Sequence, residues 1–161
     1  MCAADPGGSA EFRVCGPEAA AALHLLTQRA FAGYGVLDPP SGALKETESD
    51  VRKDLERGGG VIGLLSEQVV AGLRFELQVG GLLVRRVAVD PLHQRRGMGT
   101  SLMRFTQEHA RRMGCSHVVV GVRRALPDNR RFYERLGYRL VREHLRPSDS
   151  RVIWDELRLE L

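Results

Sequence analysis

Val84-Arg85-Arg86-Val87-Ala88-Val89-Asp90-Pro91-Leu92-His93-Gln94-Arg95-Arg96-Gly97-Met98-Gly99-Thr100 runs from a β-branched apolar segment through a basic, glycine-bearing loop into the start of a helix. Helix N-termini expose unpaired N–H groups and carry partial positive charge, so a strand-loop-helix turn of this composition suits a phosphate. Gly97 and Gly99 have no Cβ, which lets an anion approach the backbone closely. Two rival phosphate motifs are excluded. A Walker A loop requires Gly-Lys followed by Ser or Thr, which occurs nowhere in the chain. A dinucleotide fingerprint requires a third glycine where this chain has Leu102, and an acid about twenty residues on, where it offers His117.

Upstream of this stretch, Glu11–Cys15 alternates weakly as a first strand, and Pro17 stands where a helix over Ala20–Phe31 begins. Gly33–Gly42, with Asp38-Pro39-Pro40-Ser41-Gly42 inside it, is a loop. Thr47 and Asp50 form a capping-box pattern for a short second helix that buries Val51 and Leu55 and stops at Gly58-Gly59-Gly60. Val61–Leu65 and Val69–Leu77 read as strands around a Ser66-Glu67-Gln68 turn. Gly80-Gly81 marks a hairpin into Leu82–Val89. Downstream, the helix from about Gly97 to Met113 turns Leu102, Phe105, Ala110 and Met113 inward and ends at Gly114. His117–Val122 is almost all valine, as a strand buried on both faces is. Asp128 or Asn129 is placed to cap a short helix through Leu136. Tyr138–Leu145 and Val152–Leu161 close the chain as strands, with Ile153, Leu157, Leu159 and Leu161 on one side. The order β-α-α-β-β-β-α-β-α-β-β predicts an α/β fold: a mixed, mostly antiparallel central sheet flanked by helices.

Length and composition bound the remaining classes. At 161 residues, 43% hydrophobic and 27% charged, residues 1–161 form one globular domain able to bury its own core. No apolar run reaches membrane-spanning length, and Met1–Arg13 lacks the basic-then-apolar pattern of a signal peptide. Three cysteines, Cys2, Cys15 and Cys115, are too few for a disulfide framework and lack a paired histidine; no metal site is expected, and a cytoplasmic location is. The net charge of +4 is polarised: residues 1–80 hold 7 Lys+Arg against 11 Asp+Glu, residues 81–161 hold 17 Arg against 9. With few aromatics and no nucleic-acid-binding signature, a solvated arginine-rich face is favoured over a nucleic-acid partner.

Gln94-Arg95-Arg96-Gly97-Met98-Gly99 follows the pattern Gln/Arg-x-x-Gly-x-Gly/Ala, and Phe132-Tyr133-Glu134-Arg135-Leu136-Gly137-Tyr138 stands about thirty residues on. On these two segments the chain resembles the GCN5-related N-acetyltransferases, the GNAT family, from about Leu82 to Val141. The resemblance implies transfer of the acetyl group of acetyl-CoA to a primary amine, of a small molecule or a protein, with no metal and no membrane partner. It also implies that Arg95, Arg96, Gly97, Met98, Gly99 and Thr100 surround the pyrophosphate. Val87, Ala88 and Val89 would hold the pantetheine arm and thioester through main-chain groups, and Phe132 would join the cofactor-binding set.

By the same resemblance Tyr133 is the general acid that protonates the departing CoA thiolate, a role its neutral phenol suits at physiological pH. Asn129 stands three residues before Phe132 where many relatives place asparagine six before; it suits either a hydrogen bond to CoA or a helix cap. The acceptor site is expected along the loop Tyr34–Glu46, with Tyr34 and Ser41 as contacts, and the acidic balance of residues 1–80 favours a cationic amine. Glu76, Asp90 and His117 are the candidate bases, and a water relay needs none of them. A non-catalytic CoA-binding or acyl-sensing regulator and a basic nucleic-acid-binding module stay open as alternatives, as does the oligomeric state, a homodimer included.

Overall fold

The computed structural model describes residues 9–161, so Cys2 and the opening of the Met1–Arg13 segment lie outside the described residues. The elements follow in the expected order: β1 Glu11–Cys15, α1 Ala20–Ala32, α2 Glu48–Arg57, β2 Gly59–Leu65, β3 Gln68–Gln78, β4 Gly81–Val89, α3 Met98–Arg112, β5 His117–Arg123, α4 Pro127–Arg135, β6 Arg139–Leu145 and β7 Val152–Glu160. Local chemistry sets most boundaries. The capping box forms as read: the Asp50 amide donates to Thr47 Oγ1 at 3.2 Å and the Thr47 amide donates to Asp50 Oδ2 at 2.8 Å. Those bonds to Thr47 hold the Asp50 carboxyl below its usual range.

Three boundaries and one helix face depart from the sequence reading. Gly59 and Gly60 open β2 instead of ending α2. The strand runs so close to its neighbours that a Cβ on Gly60 would lie 2.8 Å from the Leu73 carbonyl oxygen. The β3–β4 loop is Val79-Gly80, one residue earlier than expected, because Gly81 already pairs with Gln78. α4 begins at Pro127 with no side-chain cap, which puts Asn129 inside its first turn. On α3 the buried set is Leu102, Met103, Thr106, Gln107 and Ala110, while Met113 is exposed. The polar members are satisfied: the Thr106 hydroxyl donates to the Leu102 carbonyl at 2.8 Å, and Gln107 Nε2 donates to the Tyr138 hydroxyl at 3.2 Å.

The sheet order is β1-β2-β3-β4-β5-β7-β6, antiparallel throughout except between β4 and β5. β7 returns between β5 and β6, so the last two strands do not simply extend the meander. One face carries α3 and α4 over a core that includes Leu73, Leu82, Val84, Leu102, Met103, Val118, Val120 and Leu157. The other carries α1 and α2 over Leu23, Leu26, Val51, Leu55 and Ile62. These side chains are almost fully buried, and truncating one of the larger of them to alanine is expected to cost about 2–5 kcal/mol.

Two irregularities in β4 prepare the site. Gly72 pairs with Ala88 and Arg74 with Arg85, so Arg86 and Val87 together oppose Leu73 as a bulge. The bulge reverses the alternation of faces, sending Ala88 to the α1 side although Val84 faces α3. The second irregularity is an early parting: β4 pairs with β5 only over Gly81–Val84 and His117–Val120. Beyond Val84 the two parallel strands separate, and the sheet opens between them.

Candidate active site

The opening between β4 and β5 is a cleft of ≈ 490 Å³. Val84 and Val87 form one wall, Val120, Gly121, Val122 and Arg123 the other, and side chains from both helical layers enter it. Tyr133 and Asn129 come from α4 on one face; Phe31, Tyr34 and Ser41 come from α1 and the following loop on the other. Asn129 Nδ2 donates to the Tyr34 hydroxyl at 3.3 Å, a bridge across the opened sheet rather than a helix cap.

Tyr133 is held without using its hydroxyl. Its ring meets Phe132 edge-on at a centroid distance of 4.9 Å and Tyr138 at 5.6 Å. The hydroxyl has no partner among the described residues, although the residue is 8% exposed. Burial first, and the neighbouring Tyr138 and Tyr34 phenols second, push its pKa far above the ordinary tyrosine value. The group is therefore a neutral donor at the opening between the strands. Tyr138, whose hydroxyl accepts from Gln107, is pushed up to about 12 by burial.

α4 is pinned to the sheet by Asp155 of β7, a carboxylate only 1% exposed. It accepts from Arg124 Nη2 at 2.6 Å and from Arg130 Nη1 at 3.0 Å. Arg130 lies one turn before Tyr133 on the same helix, so the buried acid sets where the tyrosine sits. The sequence reading missed Asp155. Its only trace is a charge in the inward register of Ile153, Leu157 and Leu159.

The turn that opens α3 fits a phosphate. The amides of Arg95 through Thr100 have no acceptor among the described residues, whereas Ser101 begins the helical ladder by donating to the Gly97 carbonyl at 3.0 Å. Gly97 has φ 77, a left-handed conformation that a side chain disfavours, and nothing lies within 4 Å of where its Cβ would stand. A Cβ on Gly99 would come 3.3 Å from the Phe132 ring and 3.8 Å from Val89, so this turn adjoins α4 at the end of β4. Arg96, Gly97 and Met98 also border a second surface hollow, on the side of Phe12 and Val70.

The structure thus brings Tyr34, Ser41, Val87, Asn129 and Tyr133 to one cleft, with Val89, Gly99 and Phe132 in contact at its edge. It does not bring the candidate bases there. Glu76 is paired with Arg85 at 2.6 Å on the α2 side. Asp90 pairs with Arg29 at 3.1 Å and accepts from the Leu92 amide at 3.0 Å. His117 lies over Gly81, its Nδ1 3.0 Å from the Ser116 hydroxyl. Among the described residues no group of three or more His, Cys, Asp or Glu is placed to hold a metal ion, and no helix is long and apolar enough to cross a membrane.

A second charge network fastens the end of the loop after α1 to α2, β3 and β4. Arg74, 3% exposed, donates to Glu46 Oε2 at 2.6 Å and to Asp54 Oδ2 at 3.0 Å, and Glu46 also accepts from Arg86 Nε at 3.0 Å. Arg86 is the bulge residue, held at φ 54, which costs a non-glycine residue strain that the Glu46 contacts help to offset.

Comparison with known proteins agrees with this geometry. The model of the acetyltransferase (GNAT) family matches residues 22–138. Among solved structures, the chain is similar in fold to the PaiA N-acetyltransferase of Thermoplasma acidophilum in complex with coenzyme A (TM-score 0.78, 12% identity, covering 95% of this chain and 99% of that one). It is also similar to the ribosomal-protein-S18-alanine N-acetyltransferase of Escherichia coli (0.75, 19%, covering 94% and 93%) and to the IAA acetyltransferase of Bacillus cereus (0.71, 19%, covering 95% and 100%). No curated protein sequence matches. Two motifs of the right spacing, a sheet that parts beside Tyr133 and a family match over residues 22–138 lead to one assignment: the chain belongs to the acetyltransferase (GNAT) family.

Proposed function

We propose that this protein transfers the acetyl group of acetyl-CoA to a primary amine by direct attack, with Tyr133 as the general acid. The observation that carries the reading is the parting of β4 from β5 with the unpartnered Tyr133 hydroxyl at the opening. Main-chain groups of Val87, Ala88 and Val89 on the unpaired edge of β4 bind the pantetheine arm. The amides of residues 95–100 receive the pyrophosphate, with the Arg95 and Arg96 side chains adding positive charge. Phe132 packs beneath that turn. Tyr34 and Ser41 border the acceptor.

The reaction forms an N–C bond and breaks the C–S bond of the thioester. The attacking amine loses its proton to water in the cleft, because no carboxylate or imidazole among the described residues lines it. The thiolate takes a proton from Tyr133, which is then re-protonated from solvent. Holding thioester and amine together supplies the proximity contribution, and the phenol removes charge from the leaving group. Isothermal titration of acetyl-CoA, with dephospho-CoA and ATP as controls, tests the donor site, and thiol release across a panel of amines tests transfer. Micromolar acetyl-CoA binding with amine-dependent thiol release is the expected result. No binding at millimolar ligand overturns the reading.

A further inference from the structure

The charge of the cleft is opposite to what the acidic first half of the chain suggests. Arg85, Arg86 and Arg123 line it, and no aspartate or glutamate among the described residues does. Two of the three are already neutralised, Arg85 by Glu76 at 2.6 Å and Arg86 by Glu46 at 2.8 Å. Arg123, at the end of β5, forms no ion pair among the described residues. Its Nη2 donates to the Pro39 carbonyl, and its Nε is buried with no acceptor. A further cation, Arg146 of the β6–β7 connection, places its Nη2 3.1 Å from Asp38 Oδ2 and its Nη1 3.8 Å from Asp149 Oδ2. Asp38, an exposed carboxylate beside Pro39, is thus paired with Arg146 and not with Arg123. Burial, more than any neighbouring charge, weakens the hold of Arg123 on its proton.

A guanidinium that lines a cleft with no carboxylate paired to it is a planar fork of donors that suits a carboxylate or phosphate oxygen. Tyr34 and Trp154, the latter lying over Gly121, supply flat apolar walls beside it. The cleft volume of ≈ 490 Å³ falls in the range of small-molecule sites. We propose that Arg123 recognises an oxyanion on the acceptor, so that the acceptor is a small amine carrying a carboxylate or phosphate away from the nitrogen that is acetylated. This rests on the acetyl-transfer reading above.

The test is thiol release from acetyl-CoA by the full chain with matched pairs of amines. Each ω-amino carboxylate is set against its methyl ester, and each aminoalkyl phosphate against the corresponding amino alcohol. For one of the two anion types the anionic member is expected to exceed its neutral partner in kcat/KM by about tenfold or more, and the arm that does so identifies the oxyanion. In Arg123→Gln that ratio falls towards one, chiefly through KM. Arg123→Lys, which keeps the charge and loses the fork, retains part of it. Ratios near one in the wild-type protein, or an unchanged ratio in Arg123→Gln, overturn the proposal. Failure of acetyl-CoA to bind in the calorimeter defeats the transfer reading instead. The oxyanion site is then read by titrating the same anionic amines alone: binding that Arg123→Gln abolishes supports it, and no binding to the wild type overturns it.

Discussion

Replacing Tyr133 by phenylalanine removes one oxygen atom, and the surroundings of that atom set opposite expectations for catalysis and for stability. The hydroxyl has no partner among the described residues, while the ring is clamped edge-on between Phe132 and Tyr138. Phenylalanine keeps the ring contacts and leaves no protein donor or acceptor stranded. Folding stability should therefore change by no more than about 0.5 kcal/mol in either direction. For a chain of this size that is a shift of about 1–2 °C in Tm. Loss of a positioned general acid should instead lower kcat by about 10²–10⁴, which is about 3–5 kcal/mol of barrier, with acetyl-CoA affinity nearly intact. Thiol release under saturating acceptor, calorimetric acetyl-CoA binding and a thermal melt on the same preparation separate the three quantities. Unchanged kcat removes Tyr133 from the reaction and favours a structural role. A Tm drop of many degrees shows that the hydroxyl has a partner in the folded chain.

The raised Tyr133 pKa keeps the phenol protonated, so kcat/KM should rise with pH as the acceptor amine deprotonates and show no falling limb below about pH 10; a fall near pH 8–9 refutes this. Tyr138 is pushed up to about 12 against about 10 in the unfolded chain, so its contribution is complete below pH 10 and lost as pH rises to 12; denaturation midpoints should decline across that window, less so in Tyr138→Phe. Gly99→Leu places a Cβ 3.3 Å from the Phe132 ring at the turn that opens α3 and should, on the proposed reading, weaken acetyl-CoA binding at least tenfold by calorimetry, with the far-ultraviolet spectrum retained. Asp155→Ala leaves Arg124 with Glu143 and Arg130 with Glu134, so urea denaturation should show a loss of about 2–3 kcal/mol, at or below the low end of the range for breaking a buried pair, accompanied by a drop in kcat as α4 loosens. Cys15, buried and with its thiol pushed up to about 12, should resist alkylation at pH 8 while the partly exposed Cys115 reacts, as mass spectrometry of the labelled protein will show.

Wherever a signal is local, the chain states its own structure. The Thr47–Asp50 capping box, Pro17 ahead of α1, the valine run of β5 and Gly137 after α4 depend on neighbours within a turn or a strand, and the structure shows each as read. The turn at Gly97–Thr100 is legible for the same reason: unpaired helix amides and absent side chains are properties of consecutive residues. Even the errors are local in kind, a hairpin loop displaced by one residue and a helix start moved to Pro127, because adjacent glycines or polar residues offer near-equal alternatives that strand pairing then decides.

Tertiary structure alone decided how those pieces meet. Nothing in a strand's own pattern says that β7 inserts between β5 and β6, that β4 parts from β5 beyond Val84, or that a bulge at Arg86 turns Ala88 to the other face. The cleft depends on contacts between residues 84 and 95 positions apart, Arg123 with Pro39 and Asn129 with Tyr34. The charge of the cleft followed the same rule: bulk counts point to an acidic first half, yet Glu46 and Glu76 are engaged by arginines while Arg123, without an ion pair among the described residues, lines the opening. Periodicity, caps and glycines act over a few residues and so are written in the sequence. The pairing of charges and the parting of strands depend on the packing of the whole chain, and only the folded protein holds that information.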